Sequence, residues 1–191
     1  MSILISNPPY NMKWDVPIFP SLQKRFAETE IPPENNANFA FILTALELSS
    51  RSVFILPCGV LTTENKQEKI IRKYLVEKNM IEAVIMCPDN MFEATSIPTC
   101  ILVLDKNKKT TKIEMIDMRS RFEVEIREQN GQFGSDSHTK RVYKKEMKVF
   151  TDEIMLDAIS CIDEHKSINE YCNSVTVEDI KSNDYILTPA R

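Results

Sequence analysis

Glycine is scarce in this sequence, with three residues in 191, at positions 59, 131 and 134. They cannot form a Gly-x-Gly-x-x-Gly turn, so no dinucleotide-type or phosphate-cradling loop lies within these residues. Histidine is rarer still, and neither His138 nor His165 has a nearby metal-ligand partner, so both read as structural. The five cysteines, Cys58, Cys87, Cys100, Cys161 and Cys172, are odd in number and contain no Cys-x-x-Cys pair. That argues for buried reduced thiols over a disulfide framework or a zinc site, and metal chemistry is not expected. No apolar run approaches the ~20 residues of a membrane helix. The first apolar run is cut by Asn-Pro-Pro far too early for a signal peptide, so the expected setting is cytoplasmic, without membrane partners. A basic surplus, the usual mark of a protein that binds DNA by itself, is also missing: the net charge is −4. A nucleic-acid role therefore needs a local patch or a basic partner.

What is present suits one good-sized globular domain, with 42% hydrophobic and 27% charged residues. Ile3–Ser6 reads as a buried strand that stops at Asn7-Pro8-Pro9-Tyr10. Each proline fixes its own φ, restricts the residue before it and donates no N–H. The result is a stiff strand end that presents an amide side chain, free carbonyls and one flat ring. Such a group can hold the exocyclic amine of a nucleobase; a plain rigid turn is the other reading of these four residues.

A long polar stretch follows to about Asn38, which is read as the cap of a helix with apolar residues at 39, 42, 43 and 46. Phe41, Ala45 and Leu48 make its other side apolar, so burial on both sides is expected. Val53–Leu56 reads as a central strand. A second helix over roughly Glu64–Lys78 should bury Ile70, Ile71, Tyr74 and Leu75 and show its charges elsewhere. Strands are expected at Ile81–Cys87, Cys100–Leu104 and Lys112–Ile116, the last two as an antiparallel hairpin. This succession points to an α/β layer with a mostly parallel sheet. From Arg119 to about Val149 the periodicity fades, with 131–137 as the expected flexible tip and Lys140–Lys148 as a solvated basic element, a DNA contact being the other reading. A helix over Thr151–Glu164, with Met155, Ile159 and Ile162 on one face, precedes a short helix capped by Thr176.

In this order the motifs closely resemble those of the modification (M) subunit of type I restriction-modification systems, which are N6-adenine DNA methyltransferases. The resemblance rests on Asn7-Pro-Pro-Tyr10, Asn36-Ala-Asn-Phe-Ala-Phe-Ile42 and Phe54-Ile-Leu-Pro-Cys-Gly-Val-Leu61. It continues through Ile71-Arg-Lys-Tyr-Leu75, the run from Met91 to Lys106, and Asn183-Asp-Tyr-Ile-Leu-Thr-Pro-Ala-Arg191.

The resemblance implies a partial Rossmann-like, S-adenosylmethionine-dependent methyltransferase fold of three αβα layers. The chain would hold the C-terminal half of the sheet with a terminal antiparallel hairpin. It divides the chain into the methyltransferase half-domain over 1–118, a variable excursion over 119–150 and a C-terminal helical segment over 151–191.

It also implies that the catalytic residues are Asn7, Pro8, Pro9 and Tyr10. The Asn7 side-chain oxygen and Pro8 carbonyl would accept from the adenine N6 amine, with Asn7 near the methyl donor, and Tyr10 would stack on the flipped base. Phe92 is either a second ring against the base or a plug under its loop. For Cys58 and Cys87, core packing is expected.

The expected partners are DNA, a specificity subunit that reads the target sequence and a restriction subunit. Only six residues precede Asn7, whereas the family places a glycine-rich cofactor loop before that motif. The chain is therefore expected to match the C-terminal portion of an M subunit and to bind S-adenosylmethionine weakly or not at all. The strand at residues 3–6 should expose an unpaired edge open to self-association. The alternative is a non-catalytic assembly module of the same subunit.

Overall fold

The computed structural model describes residues 2–92, 96–130, 142–165, 167–168 and 171–189. Six strands form one sheet: β1 (Ile3–Ser6), β2 (Arg51–Pro57), β3 (Ile81–Met86), β4 (Thr99–Asp105), β5 (Lys112–Asp117) and β8 (Cys172–Thr176). Their spatial order is β1-β2-β4-β3-β5-β8. β1 runs parallel to β2, and β3 parallel to β5, while β4 runs antiparallel to both β2 and β3. Hence β1, β2, β3 and β5 all point the same way, and their carboxyl ends share one edge of the sheet.

The expected hairpin of Cys100–Leu104 with Lys112–Ile116 does not form. β4 instead turns back between β2 and β3, where both of its faces and both of its edges are covered. That suits Cys-Ile-Leu-Val-Leu, an apolar run with no polar alternation to leave a face for water. β5 takes the place beyond β3, and β8, a strand the sequence reading did not anticipate, closes that side antiparallel to β5.

Helices cover both faces. α2 (Asn38–Leu48), α3 (Lys66–Glu77) and α5 (Val177–Ser182) pack through Phe39, Ile42, Leu43, Ile71, Leu75 and Ile180 against Phe54, Leu56, Leu102 and Leu104. α2 is buried nearly all round, as its pattern demands, although Leu48 is exposed. α3 departs from expectation in a specific way. Ile71, Leu75 and Val76 are buried, but so are Glu68 and Arg72, and Ile70 and Tyr74 are only half-buried.

On the opposite face α4 (Asp152–Glu164) packs Ala158, Cys161 and Ile162 against Ala83, Ile85, Val103 and Ile116. Met155 and Ile159, expected on one face with Ile162, lie partly in water because the helix turns its 154–158–161 face inward. Thr151 caps α4, accepting from the Ile154 N–H at 3.3 Å. Thr176 and Asp179 form a reciprocal capping box on α5, as expected of Thr176.

The segment expected to be irregular contains β6 (Glu123–Asn130) and β7 (Val142–Val149), paired antiparallel outside the main sheet. The tip expected at 131–137 lies outside the described residues. Lys145 and Lys148 of β7 reach the loop after β3: Lys145 Nζ donates to the Phe92 carbonyl at 3.3 Å, and Lys148 pairs with Asp89. At the far end, β1 is an edge strand, not a buried one. Leu4 faces the core, while Ile3 and Ile5 are 61% and 80% exposed.

Candidate active site

Four connections leave the carboxyl edge of the sheet: residues 7–11 after β1, the 3₁₀ turn Cys58–Leu61 after β2, residues 87–92 after β3, and residues 118–122 after β5. In an open α/β sheet this edge is where ligands bind. Asn7 leaves β1 with its side chain exposed, Pro8 is buried as a wedge, Pro9 is exposed, and Tyr10 is half-buried. The Tyr10 hydroxyl donates to Asn7 Oδ1 at 2.9 Å, so the phenol occupies the amide acceptor. Burial raises the Tyr10 pKa, with smaller contributions from Cys87 and Cys100. The phenol therefore stays a donor at neutral pH, and its ring lies towards the ends of β3 and β4.

Asn11 fixes this loop. Its φ of 51° lies in the left-handed region, which asparagine tolerates better than most residues. Its backbone N–H donates to Asn38 Oδ1 at 3.1 Å, and Asn38 Nδ2 returns a bond to Asn11 Oδ1 at 3.0 Å. Ala37 N–H adds a bond to the Met12 carbonyl at 2.8 Å. Asn38 is thus not the cap expected of it. It is the first residue of α2, and its amide is spent on the loop that carries Tyr10, while Asn36 Oδ1 accepts the Asn38 N–H at 3.0 Å. The reading from sequence missed this clasp. Its available signal was an asparagine directly after Tyr10 together with the Asn-Ala-Asn spacing at 36–38.

The polar stretch 11–37 is ordered by Trp14, whose Nε1 donates to the Pro33 carbonyl at 2.9 Å and whose ring meets Phe26 edge-on. It contains one short helix, α1 (Pro20–Gln23), and a 3₁₀ turn.

Phe92 is half-buried at the same edge, in the loop held by β7, and residues 93–95 beyond it are outside the described residues. Three thiols underlie the edge. Cys87 and Cys100 are buried and Cys58 is half-buried. A hydrogen bond with Cys100 holds the Cys58 thiol below its usual range against the cost of burial, and Arg119 helps. Burial pushes Cys87 up to about 12. No group of three or more His, Cys, Asp or Glu suited to a metal ion occurs among the described residues.

An antiparallel strand inserted between parallel β2 and β3, with helices on both faces, is the architecture of S-adenosylmethionine-dependent methyltransferases. The chain belongs to the N-6 DNA methylase family, whose pattern it matches over residues 1–191. It is 34% identical over 184 residues to the type I restriction enzyme MpnII methylase subunit of Mycoplasma pneumoniae, covering 90% of this chain and 33% of that protein. The HindI methylase subunit of Haemophilus influenzae is 28% identical, covering 100% of this chain and 41% of its own length.

Among solved structures, the type I restriction-modification methyltransferase subunit of Streptococcus thermophilus superposes with a TM-score of 0.78 at 28% identity. That match covers 97% of this chain and 36% of that one. A chain from a type I system assembly, at 15% identity and a TM-score of 0.64, shares the fold. The chain thus spans between a third and about two fifths of the length of these relatives.

Proposed function

We propose that this chain is the base-handling part of a DNA N6-adenine methyltransferase of a type I restriction-modification system, acting together with the remainder of a methylase subunit. The observation that carries this reading is Asn7-Pro8-Pro9-Tyr10 at the carboxyl end of β1, held rigid by the Asn11–Asn38 clasp.

A flipped adenine brings a neutral amine whose lone pair is delocalised into the ring. Two acceptors, Asn7 Oδ1 and the Pro8 carbonyl, bond its two N–H groups and push electron density back onto nitrogen. When the base arrives, the Tyr10 hydroxyl gives up Asn7 Oδ1, and its ring becomes the stacking surface. Phe92 supplies the second ring. Positioning and polarisation do most of the work, so no strong general base is required.

The family's methyl donor, S-adenosylmethionine, supplies an electrophilic methyl carbon when bound. The residues present do not fit it by themselves. No glycine-rich turn is available, and the cavity of about 330 Å³ beside β1 is lined mainly by apolar groups such as Leu4, Met12, Trp14 and Phe41. Calorimetry on the isolated chain should accordingly detect no micromolar binding of the cofactor. Recognition of the DNA sequence falls to a specificity subunit, and a restriction subunit joins the assembly, which agrees with the acidic balance of this chain.

The decisive experiment supplies the amino-terminal part of the Streptococcus thermophilus subunit in trans and measures N6-methyladenine in DNA. Methylation that appears on mixing and disappears with Asn7→Ala supports the reading. No methylation under any complementation overturns it in favour of a non-catalytic assembly module.

A further inference from the structure

Asparagine is among the best helix caps, yet α2 starts without a capping side chain. Its N-cap is Ala37, which makes no side-chain bond to the first turn. Asn38 stands one position later, 1% exposed, and both ends of its amide go to Asn11 instead of to the helix. Asn11 in turn is held at φ 51°, a conformation that a residue with a Cβ adopts only at some cost. Neither the missing cap nor the left-handed residue serves the local structure of α2.

The surroundings of Asn7-Pro8-Pro9-Tyr10 show what the pair does serve. The tetrapeptide has an anchor at each end. Before it, Ser6 registers with Phe54 in the parallel pair of β1 and β2. After it, the chain is fastened to the segment that leads into α2. The Met12 carbonyl accepts from the Ala37 N–H at 2.8 Å, the Trp14 N–H donates to the Glu34 carbonyl at 2.9 Å, and Trp14 Nε1 donates to the Pro33 carbonyl.

Between these anchors the prolines fix two φ angles, so few rotations are left. The φ of Asn11 sets how the tetrapeptide meets its second anchor. Relaxing it to the ordinary negative side is a rotation of roughly 110°. Residues on either side are held, so that rotation would have to be absorbed between Asn7 and Tyr10. Only the Asn38 amide opposes it directly, by accepting the Asn11 N–H at 3.1 Å and donating to Asn11 Oδ1 at 3.0 Å.

We infer that Asn38 is a positioning residue for methyl transfer: its amide keeps Asn11 left-handed and thereby fixes the directions of the Asn7 acceptor, the Pro8 carbonyl and the Tyr10 ring. It acts through Asn11 from behind the loop. The inference rests on the proposed function for the reaction, and on the bonds alone for the geometry.

Two measurements test it. In the isolated chain, nuclear magnetic resonance reads the sign of φ at residue 11, because a strong contact between the residue's own HN and Hα marks a positive value. The contact should vanish in Asn38→Ala. It should persist in Asn38→Asp, whose carboxylate accepts the same N–H while the Asn11 amide turns its NH₂ towards it. In the complemented assembly, kcat per folded chain should fall about a hundredfold in Asn38→Ala, the loss expected of a reacting group misplaced by about 1 Å, with little change in KM for DNA. Asn38→Asp should stay close to the parent. Asn11→Gly, which adopts positive φ freely and keeps the N–H, should outpace Asn11→Ala by at least about tenfold, and decides the matter if Asn38→Ala fails to fold. A positive φ retained in Asn38→Ala, a parent kcat in that variant, or equal rates for Asn11→Gly and Asn11→Ala overturns the role and leaves the pair as a support of the fold. An unmodified assembly that methylates nothing counts against the proposed function instead, and the φ of Asn11 is read without that assembly.

Discussion

The phenol of Tyr10 and the amide of Asn7 share one hydrogen bond of 2.9 Å, and the two groups have different uses. In the proposed function the ring is the stacking surface, and the hydroxyl only occupies the acceptor until a base displaces it. The two roles separate by substitution. Tyr10→Phe should retain methylation in the complemented assembly, because the ring stays and Asn7 Oδ1 is freed. Tyr10→Ala should weaken DNA binding by about 1–3 kcal/mol, roughly five- to hundredfold. Fluorescence binding and initial-rate assays on the two variants check this, and equal losses for both would show that the hydroxyl, not the ring, is what matters.

Lys108 is a second residue with a defined signature. Burial pulls its pKa from 10.5 down to about 8, against the opposing charges of Glu82, Glu114 and Asp105. The unfolded chain therefore binds more protons than the folded one between pH 8 and 10.5, and stability from this group rises with pH across that window. The cost of charging Lys108 is complete below about pH 8 and gone above 10.5. Lys108→Met should remove that rise, which denaturant unfolding at several pH values would reveal as a shrinking difference from the parent protein.

At the scale of elements, Arg72 joins α3 to the C-terminal segment. Its Nε donates to the Tyr185 carbonyl at 2.8 Å and Nη1 to the Thr63 carbonyl at 2.9 Å. Tyr185 itself has φ 59° and reaches Glu77 Oε1 at 2.9 Å, while Asp184 meets Lys69 Nζ at 2.5 Å. Arg72→Ala would leave two part-buried carbonyls without donors and Glu68 without its compensating charge. A loss of about 3–5 kcal/mol in chemical unfolding is expected.

Sequence periodicity placed α3 but could not show this arginine inside, because a charged residue at i+4 from another reads as surface. The same limit explains the other differences. β6 and β7 carry charges on half of their positions and, among the described side chains, bury only Met147, so they lack the continuous apolar pattern that marks a core strand. β4 was legible as a strand, but not its place, since an apolar run does not state which neighbours flank it. Asn7–Tyr10 and its position after a strand were readable directly, because prolines punctuate the chain locally. The Asn11–Asn38 clasp spans 27 residues and depended on the fold.

For the molecule as a whole, the unfinished side is the β1 edge. Ile3 and Ile5 register with Arg51 and Val53 on the face that carries α4, and that helix leaves Met155, Leu156 and Ile159 in water. Among the described residues β1 pairs with β2 alone, so its outer N–H and C=O groups have no strand partner in the sheet. A short apolar edge strand without charge or bulge is the feature that natural sheets usually suppress. Combined with exposed leucine, isoleucine and methionine on the same side, it favours association through this face. Light scattering on the isolated chain should therefore show mass rising with concentration. Ile5→Lys places a charge at the centre of the strand and alters no core contact, because the side chain is already in water. It should return the protein to a monomer with an unchanged thermal midpoint. A parent chain that stays monomeric at high concentration would mean that β1 is too short to recruit a partner strand. A variant that still associates would shift attention to the stripe on α4, where Leu156→Lys is the corresponding change.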